Sequence, residues 1–308
     1  MAHDVNRRVF LQRAGQIGAL AVTGSALESL LAACGGNVPT TPSSTGKTSA
    51  KIASNGLKIP GMFQWGSTSD NGAPYVYRDP KSSKLVGFEL EIATAIAGLM
   101  NINQKQVETD YAQLDQSLQA NAFDAILNGW EITEDRKKTE IFSQPYYRNG
   151  QQIVVRANDN RFASKTTKDT LSLKDLAGMT VGTGAGFKAE EILAADKSIK
   201  LKSYDPDLPF NDLALGRIDA VLIDYSTVTY YVLGDGPGGE VNKQLKLIGK
   251  TFDASDYVIA FNKNNSNATT LQKEIDQALT VLKNNGTLKA IYQRWGLWTD
   301  QQPEIGIK

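Results

Sequence analysis

Two stretches of this chain repeat one design. LDQSLQANAFDAILNGW (114–130) and NDLALGRIDAVLIDY (211–225) each read as a short helix, a turn and then Asp-Ala followed by apolar residues. Asp124-Ala-Ile-Leu127 in the first matches Asp219-Ala-Val-Leu222 in the second. Short apolar runs bounded by turn signals fit strands buried on both faces, as in a parallel sheet covered by helices. Two such units predict two α/β lobes built alike. In open α/β sheets ligands bind beyond the carboxyl ends of the strands. The residues just past these two strands are Asn128-Gly-Trp-Glu131 and Ile223-Asp224-Tyr225, so facing lobes bring them together across a cleft.

From Leu57 onward the same alternation continues. Strands are expected over 62–65, 123–127, 152–156, 179–182 and 218–223. Helices are expected over 88–100, 114–120, 173–176, 187–195, 210–215, 269–284 and 288–295, with another starting at 133 and running toward 142. Within 88–100, Phe88, Ile92, Ala95, Ile96 and Leu99 share one helical face. A length of 308 residues suits about two domains. Lysine plus arginine and aspartate plus glutamate number 33 each, so no polybasic surface for nucleic acid is implied. His3 is the only histidine and Cys34 the only cysteine. A chain cut after residue 33 holds no histidine, which excludes a Ser-His-Asp or Cys-His mechanism and a His-ligated metal. One cysteine excludes an internal disulfide. No Asp-x-Asp-x-Asp-Gly loop is present, and neither metal nor cofactor is expected.

The N-terminus reads as an address. Asn6-Arg-Arg-Val-Phe-Leu-Gln12 resembles the twin-arginine export signal, with Asn6 and Gln12 where Ser/Thr and Lys are usual. Residues 14–31 are mildly apolar but include Thr23, Ser25 and Glu28, too polar for a comfortable membrane-spanning helix. The segment ends in Leu31-Ala-Ala-Cys34, which resembles a bacterial lipobox. There a peptidase cuts before the cysteine and the thiol carries a diacylglyceryl group. Residues 1–33 are thus expected to be a signal peptide. Residues 34–56 are expected to be a lipidated Cys34 and a flexible Gly/Ser/Thr/Pro-rich tether. The implied location is the outer face of a bacterial cytoplasmic membrane.

Several ordered blocks carry a wider resemblance: LVGFELEIATAIA (85–97), FDAILNGWEITEDRKKTEIFSQPYY (123–147), LKDLAGMTVGTGAG (173–186), RIDAVLIDYSTVTYYV (217–232), YVIAFNK (257–263) and NNGTLKAIYQRWG (284–296). The chain resembles the extracytoplasmic solute-binding proteins of ATP-binding-cassette (ABC) importers for polar amino acids. That resemblance implies the two-lobed α/β periplasmic-binding-protein fold of type II. Lobe one spans 57–149 and 255–308, lobe two spans 152–252, and two hinge strands cross near 148–151 and 252–254. It implies a non-catalytic monomer that binds a free polar amino acid between its lobes. The protein then delivers the ligand to an ABC permease while a lipid anchor holds it at the membrane.

The same resemblance assigns site residues. Thr133 reads as a helix N-cap, with Glu134 and Asp135 in the first turn and Arg136 at the third helical position. A guanidinium opposes the positive end of the helix dipole there. Arg136 matches the family arginine that grips the ligand α-carboxylate through a planar fork; otherwise it pairs on the surface with Glu134, Asp135 or Glu140. Asp224 matches the carboxylate of lobe two that binds the α-ammonium; otherwise it serves the turn after its strand. Tyr111 stacks on the ligand side chain or simply packs. Asn128 and Gly129 offer carbonyl or amide groups, and the Gly182–Gly186 turn offers N–H groups ahead of a helix. Glu131 departs from the usual Ser or Thr. It either pairs with Arg136, weakening its grip on a carboxylate, or adds negative charge for a cationic ligand. Phe187 and Lys188 replace the Ser/Thr-type residues usual after Gly186. Asp70, Glu131 and Asp224 favour glutamine or a basic amino acid over an acidic one, while Lys188 pushes the other way. Two further readings are a dehydratase of prephenate- or arogenate-like acids using Glu131 as general acid, and a ligand sensor for a chemoreceptor or kinase.

Overall fold

The computed structural model describes residues 52–70, 72–205 and 207–308. The expected signal peptide (1–33), the lipidated Cys34 and tether residues 34–51 lie outside the described residues. The strands are β1 (Met62–Ser67), β2 (Tyr77–Arg78), β3 (Leu85–Val86), β4 (Asn103–Glu108), β5 (Ala125–Ile126), β6 (Glu140–Phe142), β7 (Tyr147–Arg156), β8 (Thr180–Gly184), β9 (Lys200–Tyr204), β10 (Ala220–Asp224), β11 (Leu245–Tyr257) and β12 (Ala260–Asn262). The α-helices are α1 (Phe88–Met100), α2 (Leu114–Gln119), α3 (Arg136–Thr139), α4 (Lys188–Ala195), α5 (Phe210–Ala214), α6 (Tyr225–Tyr231), α7 (Ala268–Asn284) and α8 (Thr287–Arg294).

One sheet has the order β4-β1-β5-β12-β6 and the other β9-β8-β10-β7-β11. In the first, β4, β1 and β5 run parallel, and β12 and β6 then alternate direction. In the second, β9, β8 and β10 run parallel, and β7 and β11 alternate in the same way. The two sheets share one topology. The strands of the sequence echo, β5 and β10, hold the third place in each.

Helical periodicity explains the packing of the first sheet. On α1, Phe88, Ile92 and Ile96 are fully buried, against Leu271, Ile275, Ala278, Leu279 and Leu282 of α7 in the same core cluster. These apolar residues recur every three or four positions, which gives each helix one face to bury. The second sheet carries separate clusters on its two faces, with Val155 and Leu222 in one and Val154, Val221 and Ile223 in the other. Alternate side chains of one strand point to opposite faces, so the paired stretches 153–155 of β7 and 220–223 of β10 are apolar at every position.

The crossings expected near 148–151 and 252–254 fall where β7 and β11 pair irregularly. Their register shifts between Ile248 and Phe252 and again between Phe252 and Ser255. Asp253 adopts a left-handed φ of 49° there. Arg148 braces the ribbon, its Nε and Nη2 donating to Asp256 at 2.7 and 3.1 Å and its Nη1 to Glu304 at 2.9 Å.

Two expectations need correction. The helix starting at 133 is a single turn, and Glu140–Phe142 is strand β6, paired antiparallel with β12. Pairing with that distant strand satisfies the backbone that a longer helix would have bonded internally. The tether also ends earlier than 56. Ile52 is buried, and the main-chain N–H groups of Asn55 and Gly56 donate to the Glu274 carboxylate at 2.7 and 3.0 Å. A Cβ on Gly56 would lie 2.4 Å from the Leu271 nitrogen, so only glycine lets the chain lie this close to α7.

Two predictions follow from these contacts. Glu274→Ala strands two N–H groups and should lower unfolding stability by about 2 kcal/mol in urea titrations. The second concerns Glu89 on α1, fully buried, which accepts the Gly129 N–H at 2.7 Å and the Tyr146 hydroxyl. Burial pushes its carboxyl from an ordinary 4.5 up to about 7. The unfolded chain therefore ionises first, and native stability contributed by the proton is complete below 4.5 and lost as pH rises toward 7. Between those pH values wild type should lose about 3 kcal/mol more than Glu89→Gln. Matching pH–stability profiles for the two proteins would refute this.

Candidate functional site

All six parallel strands deliver their carboxyl ends to one cavity of about 310 Å³ between the sheets. Thr68 and Asp70 follow β1, Asp110 to Gln113 follow β4, and Asn128, Gly129 and Glu131 follow β5. From the other side come Gly184 at the end of β8, then Ala185, Phe187 and Lys188 after it, Asp205, Asp207 and Leu208 after β9, and Asp224 at the end of β10. Tyr75 and Thr227 complete the wall.

The loop after β5 is held in place by bonds on both sides. Asn128 Oδ1 accepts the Thr68 N–H at 2.9 Å, linking this loop to the one after β1. Gly129 has a left-handed φ of 57°, and a Cβ there would sit 2.7 Å from the Tyr75 ring. Glycine is the residue that meets both demands. Its N–H points away from the cavity, to Glu89.

Asp224 is 6% exposed. Gln151 Nε2 donates to its Oδ1 at 2.6 Å and the Tyr257 hydroxyl to its Oδ2 at 2.6 Å. It precedes α6, yet its side chain makes no capping bond to that helix. Burial raises its pKa, and the Tyr257 and Gln151 bonds act against that rise. The carboxylate is therefore reserved for the cleft and hinge, not for the turn that follows it.

Glu131 is 3% exposed, and its carboxyl accepts from the Ser255 hydroxyl. Burial pushes it up to about 8, and the nearby Asp224 charge adds to the rise. Arg136 does not pair with this carboxylate. Its Nη1 donates at 2.8 Å to the Glu131 main-chain carbonyl, and its guanidinium stacks 3.4 Å from the Trp130 ring centroid. Nor does it pair with the neighbouring acids: Glu134 binds Lys137 and Asp135 binds Lys138, each at 2.6 Å, while Glu140 accepts from Trp130 Nε1 at 2.9 Å. The Thr133 hydroxyl accepts the Arg136 N–H at 3.2 Å, as an N-cap does for the third position. Arg136 backs the cavity behind Tyr111 and Glu131 and is not one of the lining residues.

Tyr111 packs against Trp130 at 5.4 Å and against Phe187 of the opposite lobe at 5.3 Å, closing one side of the cleft. Lys188 lines the cavity, but its ammonium pairs with Glu191 at 2.9 Å. The glycine turn offers less than its sequence suggests. The Gly186 N–H is taken by Glu190 at 2.6 Å and that of Ala185 by the Tyr204 carbonyl at 2.9 Å, and Gly186 does not line the cavity.

The structure thus brings Asp70, Tyr111, Asn128, Gly129, Glu131, Phe187, Lys188 and Asp224 to one cavity, with Arg136 behind it and Gly186 outside. Sequence reasoning missed Tyr75, Asp110, Asp205, Asp207, Gln151, Ser255 and Tyr257. The strand-end rule, applied to β4 and β9, points to the three aspartates.

The model of the family described as bacterial extracellular solute-binding proteins, family 3, matches residues 67–297. The L-cystine-binding protein TcyJ of Escherichia coli (strain K12) is 30% identical over 214 residues, covering 69% of this chain and 74% of that protein. The arginine-binding periplasmic protein of Mannheimia haemolytica is 29% identical over 222 residues, covering 70% of this chain and 84% of its own. Among solved structures, an ancestral arginine-binding protein bound to arginine aligns with a TM-score of 0.63 at 32% identity, covering 76% of this chain and 98% of the other. An ancestral arginine-binding protein bound to glutamine aligns with a TM-score of 0.64 at 31% identity, covering 78% and 100%. With a match that runs through both sheets and the crossing strands between them, this chain belongs to the family 3 bacterial extracellular solute-binding proteins and carries their two-lobed type II α/β fold.

Proposed function

We propose that this protein binds a polar amino acid, glutamine or a basic one, in the interlobe cavity and delivers it to an ABC permease in the cytoplasmic membrane. The observation that carries this reading is Asp224, a buried carboxylate facing a cavity walled by both lobes, with no salt-bridge partner among the described residues. An α-ammonium supplies the missing positive charge. From behind the cavity wall, the Arg136 guanidinium donates through Nη1 alone among the described hydrogen bonds, which leaves the rest of its fork for an α-carboxylate. A zwitterion touching both lobes favours the closed state, because only that state offers both partners at once. The relatives named for arginine and cystine, and the ancestral protein solved with arginine or with glutamine, support a polar ligand.

The location belongs to the same proposal. Arg7-Arg8 and the Leu31-Ala-Ala-Cys34 sequence support twin-arginine export, cleavage before Cys34 and a lipid anchor on the outer membrane face. The anchored monomer then presents its ligand to the permease; the same closure serves a chemoreceptor or kinase sensor equally well. The dehydratase reading has one observation in its favour, the raised carboxyl of Glu131 in the cleft. Formation of aromatic product from prephenate or arogenate would establish it.

A thermal-shift screen of the twenty amino acids should find at least one polar amino acid that raises the Tm. Asp224→Asn and Arg136→Lys should each weaken that ligand roughly 100-fold by calorimetry. Stabilisation by none of the amino acids sinks the reading.

A further inference from the structure

Charge inside the closed cleft must balance, because neither bulk water nor salt screens it there. With a zwitterion bound, Asp224 cancels the ammonium and Arg136 cancels the carboxylate. Glu131 is left over. It lines the cavity at 3% exposure, and no cation contacts its carboxylate among the described residues. The charged and titratable groups around it are Asp224 from β10, Arg136 from α3, Lys188 from α4, Tyr111 after β4 and Tyr257 from β11. Arg136 turns Nη1 to the main-chain carbonyl and the rest of its fork to the ligand carboxylate, and Lys188 pairs with Glu191. Asp70, Asp110, Asp205 and Asp207 also line the cavity but are exposed to solvent, which screens them. An ionised Glu131 beside a zwitterion is an uncancelled buried anion, whereas a protonated one leaves the buried groups balanced. A basic amino acid brings one more positive charge, and an ionised Glu131 then cancels it.

We propose that Glu131 adjusts the charge of the cleft, keeping its proton beside a zwitterion and releasing it to solvent when the ligand brings a second positive charge. This rests on the amino-acid reading given above. The step breaks the Glu131 O–H bond, leaves the electron pair on the carboxylate and passes the proton to the buffer. Ser255 on the crossing strand β11 holds the carboxyl group in both states, by accepting its proton or donating its own. Burial and the Asp224 charge keep the proton on Glu131 at pH 7 in the empty cleft. Because the basic ligand selects the ionised form, its affinity rises about tenfold per pH unit up to about pH 8 and then levels.

The test is calorimetry with arginine, lysine and glutamine at pH 7, in two buffers of different ionisation heat. The expected result is close to one proton released per arginine or lysine bound and none per glutamine. Glu131→Gln should abolish the release and move the arginine-to-glutamine affinity ratio at least tenfold toward glutamine, with Glu131→Asp restoring part of both. The proton count and pH slope of the wild-type protein need no variant to fold. Arginine or lysine binding without proton release overturns the proposal alone, as does binding of glutamine but of no basic amino acid. Binding of no amino acid at all overturns the functional reading and this proposal together.

Discussion

The carboxylate of Asp224 ties together parts of the chain that are otherwise separate. It stands at the end of β10 in one lobe, yet its bonds come from both crossing strands, Gln151 of β7 and Tyr257 of β11, each at 2.6 Å. The Tyr75 hydroxyl of the other lobe joins the network through Ser226 at 2.6 Å and Tyr257 at 2.9 Å. A carboxylate stripped of water needs donors in fixed places, and leaving it unpaired is costly. Here those donors lie on the hinge and on the facing lobe. One buried carboxylate therefore draws both crossing strands and the facing lobe into a single network.

Arg136 shows how a local conflict disappears once tertiary structure is known. An arginine in the first turn opposes the dipole of a long helix. The helix α3 has only four residues, so few peptide dipoles align to oppose it. The Trp130 face beneath the guanidinium and the Glu131 carbonyl beside it supply favourable electrostatics instead. Trp130 is itself fixed by the bond from its Nε1 to the buried Glu140. The arginine is held against a rigid wall, so under the proposed function little side-chain entropy remains for it to lose on binding.

How much of this was legible depended on where the hydrophobic pattern was strong. The Asp-Ala-apolar runs located β5 and β10 because central strands are buried on both faces. The edge strands β4 (NQKQVE) and β9 (KLKSY) carry few apolar residues, and so Asp110, Asp205 and Asp207 beyond them went unseen. Strand β6 reads as helix in the sequence because its partner β12 is remote and no local propensity reports it. Tyr75 comes from a loop and Tyr257 from a crossing strand, and what they share is a position in space. Asp224 and Glu131 were readable as residues past strand ends, but their environment was not. No spacing reveals that Arg136 turns to a carbonyl while Glu131 turns to Ser255.

Under the proposed function, closure and charge are one problem. Opening the cleft rehydrates Asp224 and Glu131 and relieves the cost of their burial. Closing it seats Tyr111 against Phe187 across the lobes, with ring centroids 5.3 Å apart, and gains apolar contact. The aromatic contact alone favours closure with any occupant, so it cannot discriminate among ligands. The two carboxylates can: each raises the cost of closure unless a positive charge or a proton cancels it. A ligand shifts the lobes only by its differential affinity for the two states, and under the proposed function that difference comes chiefly from positive charge placed against buried carboxylates.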